Sequence, residues 1–288
     1  MNKEISKYLI LICTILMGTP SFATESCDDS GICLNLYEAR DAQSCSDQNT
    51  DMAYWFQNNL SSTVAPIELR LGPIRDQERV GWCFAHTAAD LMSEEAGVYL
   101  SAAQIAKNYF LKSKIAWLWG GKESGTIDDA IDLSLKSPLC DEVSFPSIGL
   151  TPESAKNISC LNPVVVMSNY KTSRATAKGS RAGASLFPLL DKTLQNGKIV
   201  GIEYNANKLI YREQSNIRNA WPDHTSSIVS RYFDFTQNKC RYIIRNTWGK
   251  DCSKKISSKV ICKQGYYSVS EEDLNDSLNT VVILNEKN

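Results

Sequence analysis

The chain has 288 residues, 43% of them hydrophobic, and a formal net charge of −1 from 31 basic and 32 acidic side chains. A chain of that size and apolar content can bury a full core, which excludes a peptide hormone, a collagen-like repeat and a disordered protein. The balanced charge offers no basic surface for nucleic acid.

Residues 1–23 read as a secretory signal. Lys3 and Lys7 give a positive start, an apolar run over 8–17 follows, and Ser21 and Ala23 supply small residues for cleavage after Ala23. The apolar run is too short to span a bilayer, so no membrane association is expected after cleavage. Residues 24–63 are polar and cysteine-bearing, and are expected to form an irregular extension. Residues 66–77 read as an extended approach. A helix is predicted from Cys83 to a stop at Gly97. Ser101 with Gln104 marks the start of a second helix reaching Phe110, and Thr126 with Asp129 starts a third over 127–136, ahead of Pro138. The second half changes character. A short helix over 188–195 ends at Gly197, and β-like runs follow at 199–204, 225–235, 240–246, 265–269 and 280–284. Helices first and strands second predict an α+β fold over 64–288. A mainly helical lobe (64–185) would face a mainly β lobe (186–288), with the site in the cleft between them.

Removal of 1–23 takes Cys13 and leaves nine cysteines, an odd number. An exported chain normally pairs its thiols, so one is expected to stay free beside four bridges. Cys140 and Cys160 are candidate partners. Cys27, Cys33 and Cys45 cluster near one end, and Cys240, Cys252 and Cys262 near the other. Two odd clusters suggest one bridge between them. No CxxC pair and no suitably spaced histidine point to zinc.

Cys83 is the thiol that the context singles out. An extended segment turns through Gly81 and delivers it to the first turn of a helix. Unpaired N–H groups and the helix dipole there favour a thiolate, so a lowered thiol pKa is expected. Such a nucleophile needs a base. The chain holds two histidines. His86 lies one turn deeper in the helix and reads as a core or subsite residue. His224 opens a predicted strand after Asp223. Asn246 ends the next predicted strand, and neighbouring strands could bring it to His224 as an orienting group.

At this point the chain resembles the papain-like cysteine peptidases, from about Pro66 to Leu284, which implies a two-lobe fold whose β lobe is barrel-like. Gln77 stands six residues before Cys83, and Cys83-Phe84-Ala85 matches the family's cysteine-aromatic-alanine. Asp223-His224 precedes an apolar strand, Asn246-Thr247-Trp248-Gly249 matches the family's Asn-Ser-Trp-Gly, and Gly265-Tyr266-Tyr267 matches its later Gly-aromatic strand. The resemblance implies that Cys83 attacks the scissile carbonyl, His224 exchanges the proton, and Asn246 orients the imidazole. It implies that Gln77 donates to the oxyanion with the Cys83 backbone N–H, and that Trp248 shields the His–Asn hydrogen bond. A glycine pair that binds substrate backbone has two candidates, Gly120-Gly121 and Ser124-Gly125, the second having the better distance to Ala130. No metal or organic cofactor is implied. The implied partners are a peptide or protein substrate and a protein inhibitor. The chain departs from the family in having Glu78 where glycine is usual, Val80 where a cysteine often stands, Trp82 for a small residue and Phe84 for tryptophan. The segment 24–63 is too short for the family's usual inhibitory prosegment.

Two other readings use the same residues. A transglutaminase-like acyltransferase or amide hydrolase would use Cys83 and His224, but Gln77 and an asparagine orienter weigh against it. A disulfide-stapled binding protein on an inactive peptidase scaffold would not need all four catalytic positions.

Overall fold

The computed structural model describes residues 26–27, 33–34, 45, 50–58, 64–113, 124–177, 182–211, 222–253 and 256–287. The signal-like segment 1–23, Gly120-Gly121 and the side chains of Cys27 and Cys33 lie outside the described residues. The chain divides after Ala39. In the first unit β1 (Ser26–Cys27) pairs antiparallel with β2 (Cys33–Leu34). Everything below concerns the second unit.

The first element there is α1 (Thr50–Gln57), inside the segment expected to be irregular. Its sequence has only three inward-facing side chains, Met52, Trp55 and Phe56, too few to display a helical period. Trp55 packs edge-on against Tyr266. The segment 66–77 also holds one short helical turn, α2 (Glu68–Leu71).

The predicted helices follow. Alanine-rich α3 (Cys83–Ala96) ends at Gly97, whose φ of +65° closes the last turn. The α4 helix (Ala102–Lys112) starts where the Ser101 side chain accepts from the Gln104 backbone N–H. The α5 helix (Ile127–Ser134) is capped in the same way by Thr126 and ends two residues before the predicted stop. Further on lie α6 (Pro152–Asn157) and α7 (Phe187–Gln195). Two short helices, α8 (Ala206–Leu209) and α9 (Glu271–Ser277), come later.

Seven strands form one antiparallel sheet: β3 (Tyr170–Thr176), β4 (Val200–Tyr204), β5 (His224–Asp234), β6 (Lys239–Arg245), β7 (Ile261–Lys263), β8 (Tyr266–Ser270) and β9 (Leu278–Glu286). Their order is β3-β9-β4-β5-β6-β8-β7. The sheet is open, with β3 and β7 as its edges, and the expected barrel closure is absent among the described residues. Strand β3 comes from the part read as helical. Its Tyr-Lys-Thr-Ser-Arg-Ala-Thr run has no buried residue, as suits an edge strand, and so carries no apolar alternation to read.

Alternation along the inner strands divides the core in two. Ile199, Val229, Ile243 and Val282 join Ala85, Ala88, Met92 and Ile105 on the α3–α4 side. Val200, Ile228, Tyr242, Ile244 and Val281 join Leu190 and Leu194 of α7 on the other face. Among the described residues three bridges form: Cys45–Cys240, Cys140–Cys160 and Cys252–Cys262. The Cys140–Cys160 pair and the link between the two clusters match expectation, and Cys83 is free.

Candidate active site

Four segments meet around the start of α3. The approach 75–77 runs beside 247–249. Gln77 N–H donates to Thr247 O at 2.8 Å, Gly249 N–H donates to Arg75 O at 2.9 Å, and Asp76 bridges to Trp248. Gly249 is required here. Its φ is +73°, and an added Cβ would sit 2.6 Å from Asp76 Oδ2. The other two segments are the N-terminal ends of α3 and β5.

Cys83 is the first residue of α3 and is partly exposed. Thr225, next to His224 on β5, meets the Cys83 thiol through its hydroxyl and its backbone. The Thr225 hydroxyl lies 3.0 Å from that of Thr87, one turn along α3. Burial of the sulfur pushes the thiol pKa up. The Thr225 and Phe84 hydrogen bonds oppose this and the Glu203 carboxylate adds to it. The direction is opposite to the expected lowering. The helix start favours a thiolate, but withdrawal from water costs more than that contact returns.

His224 is buried beneath aromatic rings. Its Nε2 lies 2.8 Å from Asn246 Oδ1, which also accepts from Ser226 Oγ at 3.2 Å. An Nε2–H donor leaves Nδ1 as the basic nitrogen. Trp248 stacks on the imidazole with centroids 4.4 Å apart, Tyr211 lies on Trp248 in turn, and Tyr204 meets His224 edge-on. Burial lowers the His224 pKa to about 4, with the Asn246 bond opposing. Cys83 and His224 are therefore both neutral near pH 7 in this arrangement.

The Gln77 side chain is tied down. Its Nε2 donates to Val80 O at 2.9 Å, and its Oε1 accepts from Thr247 Oγ1. Glu78 takes up a φ of +51°, the left-handed region where the resembling family has glycine. Its carboxylate accepts from Gly149 N–H at 3.0 Å, which holds the turn. Ser124 is exposed, and Gly125 lies against the Phe84 ring, where an added Cβ would approach to 2.8 Å. His86 is buried, and neither ring nitrogen has a hydrogen-bond partner among the described residues. Burial, then the Arg75 and Arg245 charges, lower its pKa well below the ordinary value.

Two charged groupings were not read from the sequence. Asp90, on α3 and 1% exposed, holds Arg75 at 2.7 Å and Arg245 at 3.0 Å. Arg75 stands two residues before Gln77, and Arg245 immediately precedes Asn246. One buried carboxylate thus fixes both segments that flank α3. The available signal was an aspartate on the inner face of an alanine-rich helix and an arginine ending an apolar strand. Separately, Arg174 on β3 holds Asp128 at 2.7 Å and Glu203 at 2.9 Å. Glu203 faces Thr225 across β4 and β5. Burial raises its pKa, with Arg174 opposing.

No protein-family model matches the chain, and no curated protein matches it at a significant level. Solved structures do. Digestive procathepsin L 3 of Tenebrio molitor larval midgut aligns over 86% of this chain and 72% of its own, at 15% identity and a TM-score of 0.52. A mite-allergen structure concerning Blo t 1 and Der p 1 aligns over 88% and 86%, at 17% identity and a TM-score of 0.54. The Carica candamarcensis cysteine protease CMS1MS2, solved with E-64, aligns over 76% and 95%, at 14% identity and a TM-score of 0.51. At such identities the likeness is one of fold, and the fold is that of the papain-like cysteine proteases.

Proposed function

We propose that this chain is an exported cysteine peptidase that hydrolyses peptide bonds with Cys83, His224 and Asn246. The observation that carries the reading is the 2.8 Å contact of His224 Nε2 with Asn246 Oδ1 under the Trp248 ring, one residue from the threonine that meets the free Cys83 thiol. In the reaction, Cys83 Sγ adds to the scissile carbonyl carbon as its proton passes to His224 Nδ1. The imidazolium returns that proton to the departing amine, leaving a thioester. Water, deprotonated by the same imidazole, cleaves the thioester and restores the thiol. Asn246 holds the ring through these transfers. The Cys83 backbone N–H and the second amide hydrogen of Gln77 receive the oxyanion. Peptide backbone lies along Ser124-Gly125 in a groove between the helical part and the sheet. The three bridges among the described residues support export, with 1–23 removed.

The raised thiol and the committed Gln77 amide favour one rival, a peptide-binding protein that does not cleave. An irreversible epoxide thiol inhibitor separates the two. Labelling mapped to Cys83, with peptide cleavage that Cys83→Ala abolishes, supports the peptidase. Selective labelling without cleavage points to acyl transfer, and absence of selective labelling points to the binder.

A further inference from the structure

A cavity of about 350 Å³ lies away from the candidate active site, between the β5–β6 turn, the loop before β7 and the first turn of α9. Its lining includes Gln237, Lys239, Arg241, Lys259, Glu272 and Asp273. Arg241 is five positions from Asn246 along β6, roughly 17 Å at the rise of an antiparallel strand. We propose that this cavity binds a tetrahedral oxyanion, either free sulfate or phosphate or a sulfate ester carried on a larger molecule.

The argument begins with Arg241, which is 2% exposed. A buried guanidinium requires a counter-charge as well as hydrogen bonds. The three other buried arginines among the described residues have one: Arg75 and Arg245 on Asp90 at 2.7 and 3.0 Å, and Arg231 on Asp191 at 2.6 Å. Arg241 has only neutral acceptors. Its Nε donates to Ser268 Oγ at 2.8 Å and Nη1 to Gln237 Oε1 at 3.1 Å, while Nη2 donates to Ser268 O at 2.7 Å and Lys259 O at 3.2 Å. Asp234, in the adjoining turn, accepts from Thr236 and Gln237 through Oδ1 and acts on Arg241 only through space. No carboxylate comes within ion-pair reach of Arg241 among the described residues.

The rim supplies movable cations. Lys239 reaches Glu272 at 2.8 Å and Lys259 reaches Asp273 at 2.6 Å, with lysine side chains 47% and 60% exposed. Exposed pairs of this kind contribute only about 0–1 kcal/mol, so either ammonium can turn inward at small cost. The lining carries three cations against two carboxylates, and the cation without an ion pair is the buried one. An oxyanion on Arg241, gripped by the two lysines, completes the pairing in the way guanidinium groups meet sulfate and phosphate.

Isothermal titration calorimetry of the full folded chain tests this, with sodium sulfate, sodium phosphate and a sulfated oligosaccharide as separate probes at ionic strength matched with chloride. Saturable binding is expected in the wild type, about tenfold weaker in a Lys239→Ala/Lys259→Ala variant and lost in Arg241→Gln, following the strength of charge-assisted hydrogen bonds. Equal binding by free sulfate and the oligosaccharide identifies the free ion as sufficient. Variant-sensitive binding of the oligosaccharide alone identifies the ester. Absence of saturable binding by all three probes overturns the proposal, and so does binding that neither set of substitutions weakens. If Arg241→Gln does not fold, the surface double variant decides.

Discussion

Asp90→Asn should destabilise the protein severely, and the reason lies in what it leaves behind. Asp90 is the carboxylate shared by Arg75 and Arg245, all three being 2% exposed or less. Asparagine keeps the shape and removes the charge. Arg245 then retains Tyr266 Oη and the Pro73 carbonyl, both neutral, and Arg75 retains Glu142 only at 3.4 Å. Breaking a buried pair by removing one partner costs about 3–5 kcal/mol, and here two cations share the loss. Against a total stability of about 5–15 kcal/mol, that is a large fraction. At about 2–4 °C per kcal/mol for a domain of this size, a fall in Tm of roughly 10 °C is expected in a calorimetric scan. The companion variant replaces all three residues together, Asp90→Leu with Arg75→Met and Arg245→Met. It should lose less, because the charge that then lacks its ion-pair partner, Glu142, is partly exposed and still accepts hydrogen bonds from Ser147 and Ala102. An Asp90→Asn protein with unchanged Tm, or a triple variant as damaged as the single one, would refute this reasoning.

Asn246→Ala removes the acceptor of His224 Nε2 at 2.8 Å. Peptide cleavage should fall at least about tenfold in kcat with a smaller effect on KM, the scale of one buried hydrogen bond. His224, with its pKa lowered to about 4 against an ordinary 6.5, contributes stability that is whole above pH 6.5 and is lost as pH falls towards 4. The loss is about 3 kcal/mol. His86 is lowered in the same direction, so His86→Phe should show a shallower loss of stability between those pH values in urea titrations, and an unchanged slope would contradict this. Glu203 raises the Cys83 thiol, so Glu203→Gln should shift the pH midpoint of iodoacetamide labelling downwards; a midpoint that stays put would remove Glu203 from that account.

Legibility followed the strength of the local signal. The helices over Cys83–Ala96 and Ala102–Lys112 were readable because caps and stops are written in single residues, Gly97 and Ser101. The central strands were readable because their faces alternate between two apolar cores. Strand β3 was not, since an edge strand with no buried residue looks like loop. Barrel closure was expected from the family resemblance alone, because strand patterns leave the ends of a sheet undetermined. At the site, the motif spacing identified His224 beside Asn246 and did not foresee the pairing of Gln77 with Thr247. It did not identify the sense of the Cys83 shift, which depends on neighbours from β4 and β5. Thr225 and Glu203 come within reach of the sulfur only once those strands register.

The last strand is not at the margin of the sheet. β9 lies between β3 and β4, so residues near one end of the chain close a gap bounded by segments more than seventy residues upstream. During synthesis the earlier strands wait with β4 lacking one neighbour and β3 lacking its only one. Two raw edges of this kind invite pairing with another chain until residues 278–286 arrive. A premature stop a few codons before Leu278 would therefore do more harm than its length suggests. It would leave β3 detached and the interior strand β4 converted into an open border.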